Sequence, residues 1–153
     1  MPFDFSIQDY DDQYKDALMD ISLPWLESND LLEPADIDQL THPERVLAVG
    51  GRIFLAMAEG RPVGMMMLEP FGNGVAEPFK FGVLEAYRNH GIGKALMEAT
   101  IDAARAMGVH TLVLTSHHSL KAALHIYESY GFRYEDHDHV AFELSDIAMK
   151  KEL

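Results

Sequence analysis

A glycine-containing segment at residues 88–94 constrains this chain more than any other feature, because it joins a strand-like run to a helical pattern. The strand-like run covers Val75–Val83, and Gly108 marks the end of the helical pattern. The apolar, β-branched run at 111–115 then predicts a buried strand. Strand, loop, helix and strand in this order form a βαβ unit, whose two strands run parallel in one sheet.

The loop of this unit is suited to an anionic ligand. The first backbone N–H groups of a helix have no partner within the helix and are directed to its positive end, which favours a diphosphate. A P-loop is excluded because Gly91 and Gly93 are too close together. The lysine after them is also followed by Ala95, where a P-loop has the Ser or Thr that binds Mg²⁺. A dinucleotide fingerprint is disfavoured because no third glycine follows at the required spacing.

The N-terminal half of the chain predicts two helices after a first strand. The alternating run at 3–7 predicts the strand, and helical spacing at 8–26 predicts a helix that Pro24 kinks or ends. Residues 35–49 predict a second helix, which is broken or bent near Pro43. With the helix of the βαβ unit, these helices predict that both faces of the sheet are covered.

Hairpins flank the βαβ unit on either side. Their predicted strands lie at 53–58 and 63–68, and at 132–134 and 140–144. Residues 70–74 predict a loop, and residues 119–130 predict a helix with Ser119 as its N-cap. The whole pattern indicates a single α/β domain, 1–153, with a mixed sheet and helices on both of its faces.

Composition and charge exclude several classes of function. The chain has 153 residues, of which 48% are hydrophobic, and this suits one domain with a real core. Its net charge of −13 disfavours nucleic acid and anionic membrane as partners. It has no cysteine, and hence no thiolate metal site or cysteine nucleophile. No apolar run reaches the roughly 18 residues of a membrane span and no basic signal sequence opens the chain, so we expect a cytoplasmic protein.

Three groups of residues follow one another along residues 75–132. They are Ala76, Glu77 and Val83 on the strand, Arg88, Gly91 and Gly93 in the loop, and Ala123, Tyr127, Glu128, Gly131 and Phe132 on and after the later helix. In type and order they resemble motifs A and B of the GNAT superfamily of N-acetyltransferases. One position departs from the resemblance, since the family often has Asn seven residues before the helix tyrosine and this chain has Leu120.

The resemblance implies an α/β GNAT-type acyl-CoA acyltransferase fold, with a mixed, mostly antiparallel and splayed sheet. It also implies acetyl-CoA as co-substrate, held by the loop backbone and by the backbone N–H of Val83, which would bind the thioester carbonyl. Arg88 and Lys94 either add side-chain contacts to the phosphates or only line the site. The residues expected to bind the cofactor are Val83, Arg88, Asn89, His90, Gly91, Ile92, Gly93 and Lys94.

The resemblance implies two catalytic residues, Tyr127 and Glu77. Tyr127 would donate a hydrogen bond to the leaving thiolate, because full proton transfer from a tyrosine (pKa ~10) to a thiolate (~8.5) is uphill. Alternatively, Tyr127 is a core aromatic. Glu77 would be the base for the amine, although its reference pKa of ~4.3 lies roughly six units below that of a lysine-like ammonium. Burial or a bridging water would narrow this gap; otherwise Glu77 orients the amine or is a solvated strand carboxylate.

The histidine pairs have the residue types of a metal site without its spacing. His117 and His118 are adjacent, and His137 and His139 alternate with Asp136 and Asp138. Neither pair has helical i, i+4 spacing with a third partner. We therefore expect no metal.

The sequence does not identify the molecule that accepts the acetyl group. No Cys or Ser-His arrangement offers a covalent nucleophile, so direct attack by a primary amine in a ternary complex is expected. The acidic charge favours a small cationic amine or a peptide amine. Trp25 lies in the region that covers the acceptor in such enzymes, where it either stacks on the substrate or pins two helices. The Met65-Met66-Met67 run is either an adaptable substrate wall or strand core.

Two other classes of function compete with an enzyme. One is a non-catalytic acyl-CoA-binding sensor, and the other is an interaction module without cofactor affinity. A homodimer formed through the C-terminal strands is a further expectation from the resemblance.

Overall fold

The two strands of the βαβ unit are neighbours near the middle of a sheet in the computed structural model, which describes residues 3–136 and 144–153. The strands are β1 (Ser6–Asp9), β2 (Arg52–Ala58), β3 (Arg61–Gly72), β4 (Val75–Val83), β5 (Thr111–Ser116), β6 (Arg133–Glu135) and β7 (Ile147–Glu152). The α-helices are α1 (Lys15–Ser28), α2 (Pro34–Thr41), α3 (Glu44–Ala48), α4 (Ile92–Ala106) and α5 (Lys121–Ser129), with 3₁₀ turns at Asp12–Tyr14 and Glu85–Tyr87. Within the described residues, no helix has both the length and the apolarity needed to cross a bilayer.

The sheet is mixed and splayed, as expected. Its described strands pair in the order β1-β2-β3-β4-β5-β7-β6. Every neighbouring pair is antiparallel except β4–β5, which is parallel because α4 connects the two strands. β4 and β5 pair only at Val75↔Thr111 and Ala76↔Leu112. Beyond Ala76 the two strands part, and a gap opens towards the carboxyl end of β4.

A bulge interrupts β4 within this gap. Lys80 and Phe81 of β4 lie opposite the single residue Met66 of β3. Lys80 has a left-handed backbone, with φ of 51°, and its side chain is buried. A bulge bends its strand, and this one lies in the part of β4 that has left β5.

Hydrophobic residues pack against both faces of the sheet. The core beneath α4 and α5 includes Leu96, Met97, Ile101, Leu112, Leu124 and Met149. The core beneath α1, α2 and α3 includes Leu18, Ile21, Leu40, Val46 and Leu55. Met65 and Met67 belong to this second core and Met66 to the first, and all three are fully buried. The methionine run is therefore strand core that alternates between the two faces.

The N-terminal elements differ from the predictions at their ends. β1 extends to Asp9, so the helix predicted at 8–26 begins later, and it continues to Ser28. Pro24 does not end α1, because it lies on the exposed side of the helix, where a carbonyl that loses its partner can be hydrated. The break predicted near Pro43 is confirmed and separates α2 from α3. β3 also includes residues 70–72, for which the sequence predicts a loop.

The predicted N-cap of α5 is wrong. The helix begins at Lys121, and Leu120 occupies the N-cap position. The Ser119 hydroxyl is engaged elsewhere, because it is hydrogen-bonded to Nδ1 of His117 at 2.7 Å. The loop between β5 and α5 is thus organised by a histidine and not by a helix cap.

The last hairpin also differs from the prediction. The strand that pairs with β6 is β7, and Leu144 lies in a turn before it. The rest of the strand predicted at 140–144 lies outside the described residues. β7 has no recognisable strand pattern, because Met149 is the strand's one buried side chain and charged residues follow it.

Candidate functional site

The backbone of Val83 faces the gap between β4 and β5. The next residue, Leu84, donates its N–H to the carbonyl of Val63 on β3 at 2.8 Å. Backbone groups alternate along a strand, so the N–H and C=O of Val83 point to the opposite edge. There the Val83 carbonyl accepts a hydrogen bond from Nε of Arg88 at 3.1 Å. The Val83 N–H is directed into the gap beside it.

The loop at 88–94 leads from this gap into helix α4. Asn89 and Gly91 have left-handed backbones, with φ of 66° and 83°. The helix begins at Ile92, and the N–H of Ala95 donates to the Gly91 carbonyl at 3.0 Å. The N–H groups of residues 92–94 therefore have no partner within the helix and are directed to its positive end.

The two glycines of the loop are required for different reasons. A Cβ on Gly91 would meet open space, so it is the left-handed φ that favours glycine there. A Cβ on Gly93 would lie 2.7 Å from Cδ1 of Ile126 and 3.2 Å from Cζ of Phe81. Gly93 thus lets α5 and β4 pack closely against the start of α4.

A cavity of about 540 Å³ lies between the loop, the end of β4 and helix α5. Its size is typical of ligand sites. The predicted cofactor residues that line it are Val83, Arg88, Asn89, Gly91, Ile92, Gly93 and Lys94. His90 is outside the lining, and its ring stacks on that of Phe3 with centroids 4.2 Å apart. We call this space the loop cavity.

The loop cavity is positively charged in an acidic protein. Arg88 and Lys94 line it together with Lys121 of α5, and no carboxylate stands among its described lining residues. The whole chain, in contrast, has a net charge of −13. The loop cavity is therefore a local exception that favours an anion.

A second, smaller cavity lies beside it and is acidic. Its lining includes Glu33, Asp36 and Glu77, with Lys80 as the cationic side chain among them. Tyr127 and His117 also line it. We call this space the acidic cavity. Four of the described residues line both cavities, and they are Trp25, Phe81, Leu120 and Ala123.

The carboxyl group of Glu77 can both bind and release a proton near neutral pH. It lies half-buried on β4, directly across from Glu69 on β3. Burial first, and then the negative charge of Glu69, raise the pKa of Glu77 to about 7, while the charge of Lys80 opposes the rise. Near pH 7 both forms of Glu77 are populated.

Tyr127 lies on α5 with its ring packed in the core and its side chain at the acidic cavity. Only 6% of the residue is exposed, and its ring lies 5.9 Å from Phe81 and 5.7 Å from Phe132, centroid to centroid. Burial, and then the negative charge of Glu77, raise the pKa of Tyr127 above its usual value. Tyr127 therefore stays protonated and can act as a hydrogen-bond donor.

Tyr130, the other tyrosine at the end of α5, is bound to α4. Its hydroxyl donates to a carboxylate oxygen of Glu98 at 2.9 Å and approaches the Lys94 carbonyl at 3.3 Å. Tyr130 thus connects two helices and does not line either cavity.

A buried ion pair that the sequence did not reveal joins the bulge to α2. Nζ of Lys80 lies 2.5 Å from Oδ1 of Asp36, and their side chains are 4% and 3% exposed. Burial lowers the pKa of Lys80, and the negative charge of Asp36 opposes that shift. The available signal was a lysine between two aromatic residues of a strand, Phe79 and Phe81.

His117 and His118 find a third partner in Asp146. The possible ligand atoms of these three residues all lie within 4.8 Å of one another. Nδ1 of His118 lies 2.5 Å from Oδ2 of Asp146, although 70% of the His118 side chain is exposed. The other predicted pair, His137 and His139, lies outside the described residues. That the protein uses no metal stays a prediction.

Comparison with known proteins identifies a matching family. The model of the acetyltransferase (GNAT) family matches residues 11–132, which include the loop, Glu77 and Tyr127. In sequence, none of the curated proteins matches the chain significantly.

Solved structures share the fold over nearly the whole chain. An acetyltransferase of the GNAT family from Staphylococcus aureus has a TM-score of 0.89 at 22% identity, covering 97% of this chain and 99% of its own. The PaiA N-acetyltransferase from Thermoplasma acidophilum, in complex with coenzyme A, has 0.80 at 16%, with coverage of 99% and 100%. YncA from Salmonella typhimurium, with acetyl-CoA, has 0.76 at 18%, with coverage of 97% and 94%. At these identities the likeness concerns the fold, and the expected GNAT-type fold is confirmed.

Proposed function

This chain belongs to the acetyltransferase (GNAT) family, and we propose that it transfers the acetyl group of acetyl-CoA to the nitrogen of a primary amine. One observation carries the proposal: a cationic cavity and an acidic cavity meet at residues that line both of them, Trp25, Phe81, Leu120 and Ala123. An anionic cofactor suits the first, and a cationic acceptor suits the second.

The loop cavity is the proposed site of the cofactor. The diphosphate is held by the N–H groups of residues 92–94, with charge from Arg88 and Lys94. Nε of Arg88 donates a hydrogen bond to the Val83 carbonyl. This side chain therefore also fixes the end of β4, where the Val83 N–H binds the thioester. Acetyl-CoA with these contacts has its acyl group at the gap, within reach of the Val83 N–H.

The proposed reaction is direct attack in a ternary complex. The amine nitrogen bonds to the thioester carbonyl carbon, and the carbonyl electron pair moves onto oxygen, which the Val83 N–H stabilises. A single donor of this kind is typically worth about 3–4 kcal/mol. The intermediate collapses with cleavage of the carbon–sulfur bond, giving the amide and the thiolate of CoA. The proton lost by nitrogen goes to Glu77, and the thiolate, which accepts a hydrogen bond from Tyr127, gains its proton from solvent.

Glu77 suits the role of base because of its surroundings. With a pKa of about 7, its distance from a lysine-like ammonium shrinks from roughly six pH units to roughly three. A bridging water, or an amine whose intrinsic pKa is low, covers the rest of this gap in pKa. A carboxyl that keeps both forms near neutral pH can accept a proton in one turnover and release it before the next.

Tyr127 suits the role of hydrogen-bond donor to the leaving thiolate. Its raised pKa makes full proton transfer less favourable than for a solvated tyrosine. A hydrogen bond that strengthens as charge develops on sulfur requires no such transfer. The thiolate can then take its proton from solvent after the products separate.

The acidic cavity indicates the class of acceptor. Among its described lining residues, the carboxyl groups of Glu33, Asp36 and Glu77 outnumber the ammonium of Lys80. The balance favours an acceptor with positive charge, either a small cationic amine or the amine of a peptide. The proposed reaction uses no metal.

The first test is calorimetric titration with acetyl-CoA, with NAD and ATP as controls, followed by turnover with a panel of cationic amines. The proposal expects selective binding of acetyl-CoA and CoA release that depends on the amine. Selective binding without turnover on any amine would instead identify an acyl-CoA sensor. A folded protein that binds none of the three ligands would refute the proposed function and favour an interaction module.

A further inference from the structure

Trp25 stands at the point where the two cavities meet. Of the four residues that line both cavities, Phe81, Leu120 and Ala123 have wholly apolar side chains. Trp25 is thus the one shared lining residue whose side chain has a polar hydrogen, on Nε1. The chemistry proposed above brings the acyl carbonyl and the amine together in this same place.

The indole N–H of Trp25 is buried and has no hydrogen-bond partner among the described residues. Such a group loses its contact with water without compensation, and a native protein seldom leaves this cost unmet. Elsewhere the residue is well anchored, since its carbonyl accepts a hydrogen bond from Nδ2 of Asn29 at 2.7 Å. The unmet donor is therefore held in place by the end of α1.

The nitrogen edge of the indole faces the strand beside Val83. A Cβ built on Gly82 would lie 2.4 Å from Nε1 and 2.9 Å from Cδ1 of Trp25. Gly82 therefore provides the space for this edge of the ring. The peptide that follows Gly82 carries the Val83 N–H, so two N–H donors, one from a side chain and one from the backbone, lie at the same end of β4.

We infer that the Trp25 indole N–H donates a hydrogen bond to the acyl carbonyl oxygen of the bound thioester. The inference rests on the proposed function. The acyl oxygen supplies the acceptor that the buried N–H otherwise lacks, and together with the Val83 N–H it completes a pair of donors. As the carbonyl carbon becomes tetrahedral, its oxygen gains negative charge and both hydrogen bonds strengthen. Trp25 is then a catalytic residue as well as a wall between the cavities.

The N–H of Trp25 and the bulk of its ring have different roles, which can be tested apart. A tryptophan that only packs α1 against β4 needs the bulk of the indole and not its hydrogen. The chain contains one tryptophan, so replacing tryptophan by an analogue in which sulfur takes the place of N–H alters this group alone. Trp25→Phe is the simpler variant, which removes the N–H and part of the ring together.

The experiment compares the wild type, Trp25→Phe and the sulfur analogue. Dissociation constants are measured for acetyl-CoA and for CoA, which has no acyl carbonyl, and kcat is measured with an accepted amine. We expect unchanged affinity for CoA in both altered proteins. We expect the preference for acetyl-CoA over CoA to fall roughly twofold to tenfold, as for one neutral hydrogen bond, and kcat to fall about 100-fold or more.

Two results would overturn the inference. If the sulfur analogue keeps the wild-type kcat and the wild-type preference for acetyl-CoA, Trp25 acts by packing and the proposed function stands. If the wild type binds neither acetyl-CoA nor CoA, the proposed function fails and the inference fails with it. Should Trp25→Phe not fold, the sulfur analogue decides alone, because it keeps the volume of the indole.

Discussion

Replacing Glu77 by Gln tests the proposed base through the pH dependence of the reaction. With a pKa of about 7, Glu77 is ionised to about one tenth at pH 6 and about nine tenths at pH 8. If the carboxylate is the base, kcat/KM of the wild type rises roughly tenfold between these pH values from this group alone. A carboxyl at its ordinary value of 4.5 would be ionised throughout and contribute almost no change.

The assay measures initial rates from pH 5.5 to 9 with one amine. Deprotonation of the substrate amine also raises the rate with pH. The Glu77→Gln variant measures this contribution by itself, because it acts on the same amine and lacks the proposed base. The ratio of wild-type to variant kcat/KM therefore isolates Glu77. Glu69→Gln is the matched control, since the negative charge of Glu69 helps to raise the pKa of Glu77. In that variant the rise of kcat/KM with pH should occur at lower pH.

The same ionisation predicts how Glu77 affects stability. Its pKa is higher in the folded state than in the unfolded chain, so the folded state binds the proton more tightly. The stability from this group is complete below about pH 4.5 and is lost as the pH rises through about 7. This rise in the pKa of Glu77, from 4.5 to about 7, corresponds to about 3 kcal/mol. Glu77→Gln should unfold at higher denaturant than wild type at pH 8 and show no such gain at pH 4.

Two results would contradict the reasoning about Glu77. One is a ratio of wild-type to Glu77→Gln rates that is constant from pH 6 to 8, which would mean that no group with a pKa near 7 acts as the base. The other is a rise of kcat/KM at the same pH in Glu69→Gln as in the wild type. This would mean that the charge of Glu69 on β3 does not affect the pKa of Glu77 on β4.

Four further predictions follow from other parts of the site. Tyr127→Phe should lower kcat by roughly 100-fold with acetyl-CoA affinity kept, whereas Tyr130→Phe, which loses only a bond to α4, should keep its turnover; equal turnover of the two variants would remove Tyr127 from the mechanism. Gly91→Ala and Gly60→Ala both place a side chain at positive φ in open space and should each lose about 1–2 kcal/mol in denaturant unfolding. Only Gly91→Ala should weaken acetyl-CoA binding in calorimetry, and equal affinities of the two variants would show that the loop does not bind the cofactor. Lys80→Met leaves a buried carboxylate without its ion-pair partner and should cost about 3–5 kcal/mol in unfolding free energy; a loss below 1 kcal/mol would show that the pair is open to water. Turnover should be unaffected by dialysis against a chelator, and activity that disappears and returns with a divalent ion would contradict the proposed metal-free reaction.

The loop and its flanking elements were predictable because their signals are local. The bounds of β4 were predicted correctly, and the end of α4 near Gly108 follows from a glycine with positive φ. The elements that were predicted poorly depend on contacts that are distant in sequence. β7 forms because it pairs with β5 and β6, and Pro24 stays within α1 because its neighbours pack on the sheet while it faces solvent.

The sequence by itself determined the βαβ unit, the glycine loop at 88–94 and the family motifs that contain Glu77 and Tyr127, because residue type and spacing along the chain encode them. Only the tertiary structure decided the electrostatics of the site. The charge of Glu69 reaches Glu77 across a strand pair, Asp36 meets Lys80 from another helix, and Trp25 faces Gly82 from α1. Each of these effects depends on burial and on distances of a few ångströms between residues far apart in sequence. Such distances are fixed by how the helices pack on the sheet, and not by the order of residues along any one element.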